Sequence, residues 1–292
     1  MISCSEKTNV AKPMESTKGS SPGMGDNAAD LVDLSTIEIK EIPNRPKGER
    51  AMVNGIEMYY ETFGQGEPLL MIHGGGATIE SWFCQIPGFS KRFKVIAVDC
   101  RGHGRTNDAE GPINFDLMTA DYTALLDQLG LKNVMVVGWS DGGVIGLEMS
   151  MRRPDLVGKV VALGAHARPS GMTGEFKAEV EAFTPENFPA MLVESYKALS
   201  PDGPEHWPVV FGKLKTMWLT QPDFTDEQLR SIQCPVLLLV GEHDIVREEE
   251  SKRMASLIPK ARLKVLKGAT HYSPVQIPDV VNKEIEGFLE HL

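Results

Sequence analysis

A serine stands on a glycine-flanked turn in the segment Gly138–Gly142, which reads Gly-Trp-Ser-Asp-Gly. The apolar run 133–137 comes directly before this turn and the helix-like stretch 144–151 follows it, so the hydroxyl is expected at the junction of a strand and a helix. Glycines on both sides of the serine let the strand and the helix approach closely without collisions between Cβ atoms. The pattern predicts that Ser140 is the nucleophile of a covalent mechanism.

A serine hydroxyl is a weak nucleophile at neutral pH unless a base takes its proton and a third group orients that base. His271 follows the last strand-like run, 263–266, and no other histidine of the seven follows a late strand in this way. Asp244 comes just after the preceding strand-like run and is expected to bind the imidazole. Glu242 is the competing carboxylate, but it directly follows a glycine and is expected to point away. These positions predict a triad of serine, aspartate and histidine.

Attack on an acyl carbon also requires hydrogen-bond donors for the oxyanion that forms. The segment His73–Gly76 reads His-Gly-Gly-Gly after the apolar run 69–72, and glycines there let backbone N–H groups approach a reacting carbonyl. Gly75 is the first choice for one donor, and Gly76 is the second. The other donor is expected to be the N–H of Asp141, at the positive end of the helix after the nucleophile. The alternative interpretation of the glycine run is a plain turn.

These residues need a sheet that brings distant strand ends together. A short strand at 51–53, a turn at 54–55 and an alternating strand at 56–63 predict a leading antiparallel hairpin. Later apolar runs are continuous rather than alternating, as expected for parallel strands covered by helices on both faces. The chain is therefore predicted to be an α/β protein with an open, mostly parallel sheet and ligand chemistry at the carboxyl ends of its strands. The later strands are predicted at 68–72, 94–98, 133–137, 159–163, 235–240 and 262–266, and helices at 115–129, 143–152, 248–258 and 278–292.

Two segments depart from this alternation of strands and helices. Residues 1–44 are rich in Ser, Lys, Asn, Gly and Pro and nearly empty of aromatic residues, which predicts a disordered tail before a domain at 45–292. Residues 166–232 carry aromatic residues and methionines among turn signals. This insertion is predicted to be a helical cap over the strand ends, with one or two large side chains facing an apolar pocket.

The cysteines indicate no metal site. Cys4 lies in the sequence Ile-Ser-Cys-Ser, which resembles the acylated junction of a bacterial lipoprotein. The protein is accordingly expected either in the cytoplasm or tethered to the cell envelope through Cys4. Cys84, Cys100 and Cys234 belong to no Cys-x-x-Cys motif and stand near no histidine at the spacing of metal ligands, and they are expected to be small core residues.

Composition narrows the classes of partner. A length of 292 residues with 41% apolar residues suits one large domain. A net charge of −10 and a pI near 5.3 argue against a nucleic-acid partner, because phosphate binding needs clustered Lys and Arg. No apolar run approaches the roughly 18 residues that a membrane span needs, so no transmembrane segment is predicted. No pattern in the sequence indicates an oligomeric state.

From 49 to 292 the chain resembles the α/β-hydrolase superfamily. The resemblance rests on the oxyanion loop 73–76, the segment Asp99–Arg105, the Ser140 turn, and the late aspartate and histidine. It implies a serine hydrolase that requires no cofactor and no metal ion. The segment Asp99–Arg105 resembles the family's Asp-x-Arg-Gly-x-Gly loop, which braces the floor of the active site, and this implies structural roles for His103 and Arg105.

The turn around Ser140 is also similar to that of the biphenyl hydrolase-like proteins, which include valacyclovir hydrolase, an enzyme of amino-acid esters. In that group the acid after the serine helps to receive the substrate's amino group, which implies the same role for the side chain of Asp141. Trp139 and Gly76 are further candidates for contact with the substrate. The competing interpretation of Asp141 is an acid that stabilises the start of its helix by roughly 0.3 to 1 kcal/mol.

The leading functional prediction is hydrolysis of a small-molecule ester through an acyl-enzyme on Ser140. Cleavage of a carbon–carbon bond, lactone opening and perhydrolysis remain open, because neither the fold nor the triad dictates the leaving group. Epoxide hydrolases and haloalkane dehalogenases carry an aspartate at the turn and are set aside. The alternative outside enzymology is a ligand receptor that keeps the triad but turns over very slowly.

Overall fold

The computed structural model describes residues 38–290. Cys4, with both expectations for it, and residues 1–37 of the predicted tail lie outside the described residues. Ile42 is only 2% exposed and packs into the core, so the packed chain begins before the predicted boundary at residue 45. Isoleucines stand at 37, 39 and 42 among polar residues, and average composition does not distinguish the buried Ile42 from the exposed Ile39.

The fold is an eight-stranded, mostly parallel sheet, as predicted. Its strands are ordered β1-β2-β4-β3-β5-β6-β7-β8, with β1 and β2 antiparallel to their neighbours and the rest parallel. Because β3 lies between β4 and β5, the loops after β3, β4 and β5 meet at one edge of the sheet. The strands are Glu49–Val53 (β1), Ile56–Phe63 (β2), Glu67–Ile72 (β3), Phe93–Val98 (β4), Val134–Trp139 (β5), Val157–Leu163 (β6), Val236–His243 (β7) and Ala261–Thr270 (β8).

The leading hairpin forms where the sequence indicates it. Val53 pairs with Ile56 across the turn, and both turn residues have positive φ, 43° at Asn54 and 82° at Gly55. Asn-Gly is the dipeptide that favours this conformation in a two-residue hairpin.

Helices cover both faces of the sheet. The strand β3 shows why, since Leu69 and Met71 pack into one apolar cluster with α1 and α10, while Leu70 and Ile72 pack into another with α2 and α3. A strand that is buried on both faces carries no polar alternation, which explains its continuous apolar sequence. The helices are Ile86–Phe89 (α1), Phe115–Gln128 (α2), Asp141–Arg152 (α3), Gly174–Ala182 (α4), Ala190–Leu199 (α5), Trp207–Thr220 (α6), Asp226–Arg230 (α7), Glu248–Leu257 (α8), Ser273–Gln276 (α9) and Pro278–Glu290 (α10).

The last two strands extend beyond their predicted ends. β7 continues to His243 and β8 to Thr270, with an irregular register between Gly241 and His243. Charged residues and glycine interrupt the apolar pattern there, so the pattern predicts an earlier end for each strand. The two strand ends nevertheless pair with each other at the exposed edge of the sheet. His271 therefore follows its strand directly.

Residues 166–232, here called the helical insertion, contain the four helices α4–α7. The aromatic side chains of the insertion form a cluster centred on Phe188. The centre of its ring lies 5.2–5.8 Å from the ring centres of Phe183, Trp207, Phe211 and Trp218. None of the helices in residues 38–290 is both long and apolar enough to span a bilayer.

Candidate active site

Ser140 has a strained backbone conformation at the end of β5. Its φ of 56° and ψ of −119° lie outside the regions that side chains favour. The other non-glycine residues with positive φ between 38 and 290 are all asparagines, which tolerate such angles far better. The serine N–H donates to Leu163 O at 2.8 Å, and its carbonyl accepts from Gly143 N at 2.8 Å to begin α3. Bonds on both sides therefore hold the strain in place.

The two glycines that flank the turn are required by close packing. A Cβ atom on Gly142 would lie 2.1 Å from Ile72 O, and one on Gly138 would lie 2.0 Å from Gly142 O. Both distances are far below any van der Waals contact. Strand β3, the turn and α3 can therefore meet only because these positions lack side chains.

His271 and Asp244 form a buried pair. The imidazole Nδ1 lies 2.7 Å from Asp244 Oδ1, and the side chains are 8% and 2% exposed. The carboxylate also accepts the N–H groups of Gly241 and Val246, at 3.0 and 3.2 Å. An Nδ1–H that donates to a carboxylate leaves Nε2 as the basic nitrogen, which is the arrangement that a general base needs.

Glu242 points away, as expected. Its side chain is exposed, and Oε2 accepts the N–H of Gly268 at 2.8 Å. Asp244 lies beyond the end of β7, where it accepts the N–H groups of Gly241 and Val246 and faces His271, so the two carboxylates occupy different places.

The loop that carries His271 is tied to the serine turn by Trp139. The indole N–H donates to His271 O at 2.9 Å, and the indole is 6.2 Å from the imidazole and 6.1 Å from the ring of Tyr272. The Ser140 hydroxyl and the imidazole are not hydrogen-bonded to each other here; catalytic bonds of this kind often tighten only with substrate. Trp139 is 7% exposed, so its observed role is support of the base loop, and its predicted contact with substrate stays a prediction.

Gly164 makes room for the His271–Asp244 pair and was missed by the sequence analysis. It follows β6 with φ of 57°, and a Cβ there would lie 2.7 Å from His271 Nδ1 and 3.4 Å from Asp244 Oδ2. The available signal was a glycine directly after a buried strand.

The two glycines considered for the oxyanion donor differ in their hydrogen bonding. The N–H of Gly76 donates to His103 Nε2 at 3.0 Å and is therefore occupied. Within residues 38–290, the N–H groups of Gly75 and Asp141 have no hydrogen-bond partner. The structure thus argues against Gly76 as a donor and leaves Gly75 and Asp141 as the pair for which the role is predicted.

Two buried histidines join the loop after β3 to the loop after β4. His73 Nε2 accepts the N–H of Cys100 at 3.0 Å, while His103 Nε2 accepts the N–H of Gly76. The Nδ1 atoms face the carbonyl groups of Gly74 and Arg101, at 2.7 and 2.8 Å. Burial lowers the pKa of His73 to about 3 and that of His103 to about 4. Both rings are therefore neutral and act as acceptors for backbone N–H groups.

Asp99 and Arg105 complete this floor. Asp99 is fully buried, accepts the N–H groups of Ile79 and Arg105 at 2.9 Å each, and lies 3.1 Å from the Arg105 guanidinium. Burial raises the pKa of Asp99 to about 6, although the Arg105 charge opposes the rise. The observed contacts of His103 and Arg105 are structural, in agreement with what the family resemblance implies.

Asp141 links the serine turn to the helical insertion. Its Oδ2 accepts the indole N–H of Trp218 in α6 at 2.9 Å, and the residue is 5% exposed. Burial raises the pKa of Asp141 to about 6, and the bond from Trp218 partly offsets the rise. A Cβ on Gly75 would lie 2.4 Å from this carboxylate oxygen, so the absence of a side chain at Gly75 admits both Asp141 and Trp218.

In the part of the chain that the structure describes, no cluster of three or more His, Cys, Asp or Glu side chains is arranged to hold a metal ion. The polar groups gathered at the strand ends are instead a strained serine, a histidine–aspartate pair and free backbone donors. This set suits covalent chemistry at an electrophilic carbon.

Residues 69–284 match the family model described as the alpha/beta hydrolase family. The chain belongs to this family. Over 270 residues it is 27% identical to a non-heme haloperoxidase of Rhodococcus erythropolis, covering 81% of this chain and 97% of the relative. Over 239 residues it is 26% identical to carboxylesterase YbfK of Bacillus subtilis, covering 76% and 79%.

Solved structures show the same fold. The meta-cleavage product hydrolase CumD of Pseudomonas fluorescens superposes with a TM-score of 0.72 over 83% of this chain and 97% of that chain, at 23% identity. The family and its relatives make this protein a hydrolase of the alpha/beta type.

Proposed function

We propose that the protein hydrolyses small-molecule esters through an acyl-enzyme on Ser140. The observation that carries this proposal is the His271–Asp244 pair at 2.7 Å, linked to the turn of a strained serine by the Trp139–His271 bond. A base oriented by a buried carboxylate is what a serine needs to become nucleophilic. The carboxylesterase among the relatives supports ester substrates.

In this mechanism, His271 Nε2 takes the proton of the Ser140 hydroxyl as it attacks the ester carbonyl. The N–H groups of Gly75 and Asp141 stabilise the oxyanion of the tetrahedral intermediate. The imidazolium, stabilised by Asp244, then protonates the leaving alcohol. Water attacks the acyl-enzyme with His271 again as base, which releases the acid and restores the serine.

The decisive experiment replaces Ser140 with Ala and measures turnover of p-nitrophenyl acetate and butyrate. Activity is expected to fall to the background rate, while the circular dichroism spectrum stays unchanged. Ser150→Ala is the matched control, because it removes a hydroxyl from α3 that bonds to Leu147 O and to the side chain of Cys234, and it should retain full activity. An active Ser140→Ala variant would refute the proposal.

Perhydrolysis is the first alternative, since a haloperoxidase is among the relatives. It differs only in the acceptor, because hydrogen peroxide in place of water would release a peracid from the acyl-enzyme. Product analysis with an ester and added peroxide separates the two activities. Carbon–carbon cleavage and lactone opening are tested with the corresponding substrates, and a receptor would bind ligand with negligible turnover of every compound.

A second candidate role concerns the Asp141 carboxylate, which lies beside the proposed oxyanion loop and is 5% exposed. An anionic group there would attract an ammonium on the substrate. The test compares α-amino esters with their desamino analogues. A preference for the amino form that disappears in Asp141→Ala supports the role, while equal rates leave Asp141 as a structural partner of Trp218.

A further inference from the structure

Trp218 borders the proposed oxyanion loop directly. A Cβ atom placed on Gly75 would lie 2.6 Å from Trp218 Cζ2 and 2.8 Å from its Nε1. Gly74, the preceding residue, is within similar reach of the nucleophile, because a Cβ there would lie 3.1 Å from Ser140 Cβ. The indole and the attacking serine therefore border consecutive glycines of one loop.

Two contacts fix the orientation of this indole. Its N–H donates to Asp141 Oδ2 at 2.9 Å, and its face stacks on the ring of Phe188, with 5.8 Å between ring centroids and 16° between planes. Phe188 in turn packs on the same loop, since a Cβ on Gly76 would lie 3.0 Å from its ring. Rotation of the indole would break the hydrogen bond and the stack together.

The mechanism determines which part of the substrate faces the Trp218 indole. His271 must protonate the leaving oxygen, so the alcohol portion lies on the side of the imidazole, next to Gly164 and Trp139. The carbonyl oxygen faces the N–H groups of Gly75 and Asp141. The acyl chain takes the remaining direction, which the proposal below assigns to the side of the oxyanion loop that Trp218 and Phe188 line.

We propose that Trp218 is the residue that limits acyl length, so that the protein prefers esters of short, unbranched acids such as acetic and propionic acid. This proposal rests on the proposed ester hydrolysis and names its substrate class. A rigid aromatic wall rejects additional methylenes because they can be accommodated only by displacing a side chain that is held on two sides.

The test measures kcat/KM for p-nitrophenyl acetate, butyrate, hexanoate and octanoate with the wild type and with Trp218→Ala and Trp218→Leu. The wild type is expected to favour acetate. Both variants should raise the ratio of hexanoate to acetate by at least about tenfold, which is the discrimination typical of one or two methylenes in an apolar pocket. Two replacements are used because Trp218 is half-buried, so at least one is expected to fold.

Trp207→Phe is the matched control. Trp207 belongs to the same aromatic cluster and lies 5.7 Å from Phe188, but its N–H donates to Pro185 O, within the insertion. This variant should keep the wild-type profile. An equal change of profile in Trp207→Phe would overturn the proposal, because general loosening of the insertion would then explain it.

Phosphonylation of Ser140 gives a second readout that does not depend on deacylation. Trp218→Ala should react faster with a p-nitrophenyl hexylphosphonate relative to the methylphosphonate, and the wild type should show the opposite order. If the wild type hydrolyses none of the esters, the proposed function fails. If it hydrolyses them and Trp218 replacement leaves the chain-length profile unchanged, only the present inference fails.

Discussion

The loops that carry the proposed catalytic groups and the helical insertion that faces them are held in different ways. The loops after β3 and β4 are joined by buried hydrogen bonds between backbone N–H groups and the neutral imidazoles of His73 and His103. The insertion packs through an aromatic cluster, and two carboxylates, Asp108 and Asp141, are among the groups that join it to the body through hydrogen bonds. Buried directional bonds therefore fix the two loops relative to each other, whereas aromatic packing holds much of the insertion together.

This difference separates two tasks. The reacting atoms need fixed geometry, since small displacements of oriented groups cost large factors in rate. The part that selects the substrate can vary without disturbing those groups, as is common for segments added to a rigid scaffold. We therefore expect replacements in the body to reduce turnover. Replacements at Asp108 and Asp141, two joints between the body and the insertion, should alter stability and selectivity.

The largest effect is expected for Asp244→Asn. The amide preserves shape but cannot stabilise an imidazolium, and it favours the wrong tautomer of His271, so kcat should fall by about 10⁴-fold. Steady-state hydrolysis of p-nitrophenyl acetate measures this change. Glu242→Gln is the control and should leave kcat unaltered, because the exposed Glu242 accepts the N–H of Gly268 and does not contact His271. A large loss in the control and a small loss in Asp244→Asn would reverse the assignment.

Asp141→Asn tests the joint at the serine turn through its pH dependence. The folded-state pKa of Asp141, about 6, lies above the ordinary value of 3.8 for an aspartate, so the folded chain binds this proton more tightly than the unfolded chain. The stability that the group contributes is complete below about pH 4 and is lost as the pH rises through 6.

An asparagine stays neutral at every pH, so the stability of Asp141→Asn relative to the wild type should increase between pH 4 and pH 7.5, by up to roughly 3 kcal/mol. Urea unfolding at several pH values measures the difference. The exposed Asp279 provides the control, and Asp279→Asn should show no comparable trend. A difference that stays constant with pH would mean that burial does not perturb Asp141.

The smallest effect is expected at the second joint. Asp108 Oδ2 lies 2.6 Å from Lys213 Nζ and 2.9 Å from His206 Nε2 of the insertion. Asp108→Asn removes the charge but keeps the size, and should weaken this joint by about 1 kcal/mol. Amide hydrogen exchange in α6 should become faster by roughly fivefold, while exchange in β5 stays constant. Glu194→Gln, in an exposed pair with Lys197, should change neither; uniform acceleration in both elements would argue against a local joint.

Much of the body was predictable because its signals are local. A continuous apolar run of five or six residues bounded by glycine or proline indicates a buried parallel strand, and β3 and β5 were predicted to within two residues on that basis. The end of β8 was not, since Lys267 and Gly268 interrupt the pattern while pairing with β7 carries the strand on to Thr270.

The remaining features depend on contacts between residues far apart in the chain. The choice between Gly75 and Gly76 was decided by His103, which occupies the N–H of Gly76 from another loop. The spacing of residues in a sequence motif cannot predict a hydrogen bond of this kind between two loops. The bounds of the helices in the insertion were not predicted. In α6 the buried residues do recur at helical spacing, at positions 207, 210, 211, 214 and 217. The shorter helices α4, α5 and α7 bury only one or two residues each, which is too few for a periodic signal.

The paired histidines beneath the oxyanion loop set an acid limit that does not involve the catalytic base. Their pKa values of about 3 and 4 lie below the ordinary value of 6.5, so below pH 6.5 the unfolded chain takes up protons that the folded chain refuses. Because of these two rings, the free energy of unfolding therefore falls as the pH drops below 6.5. Once protonated, each Nε2 would present a hydrogen to a backbone N–H, and the two loops would repel each other where they now meet.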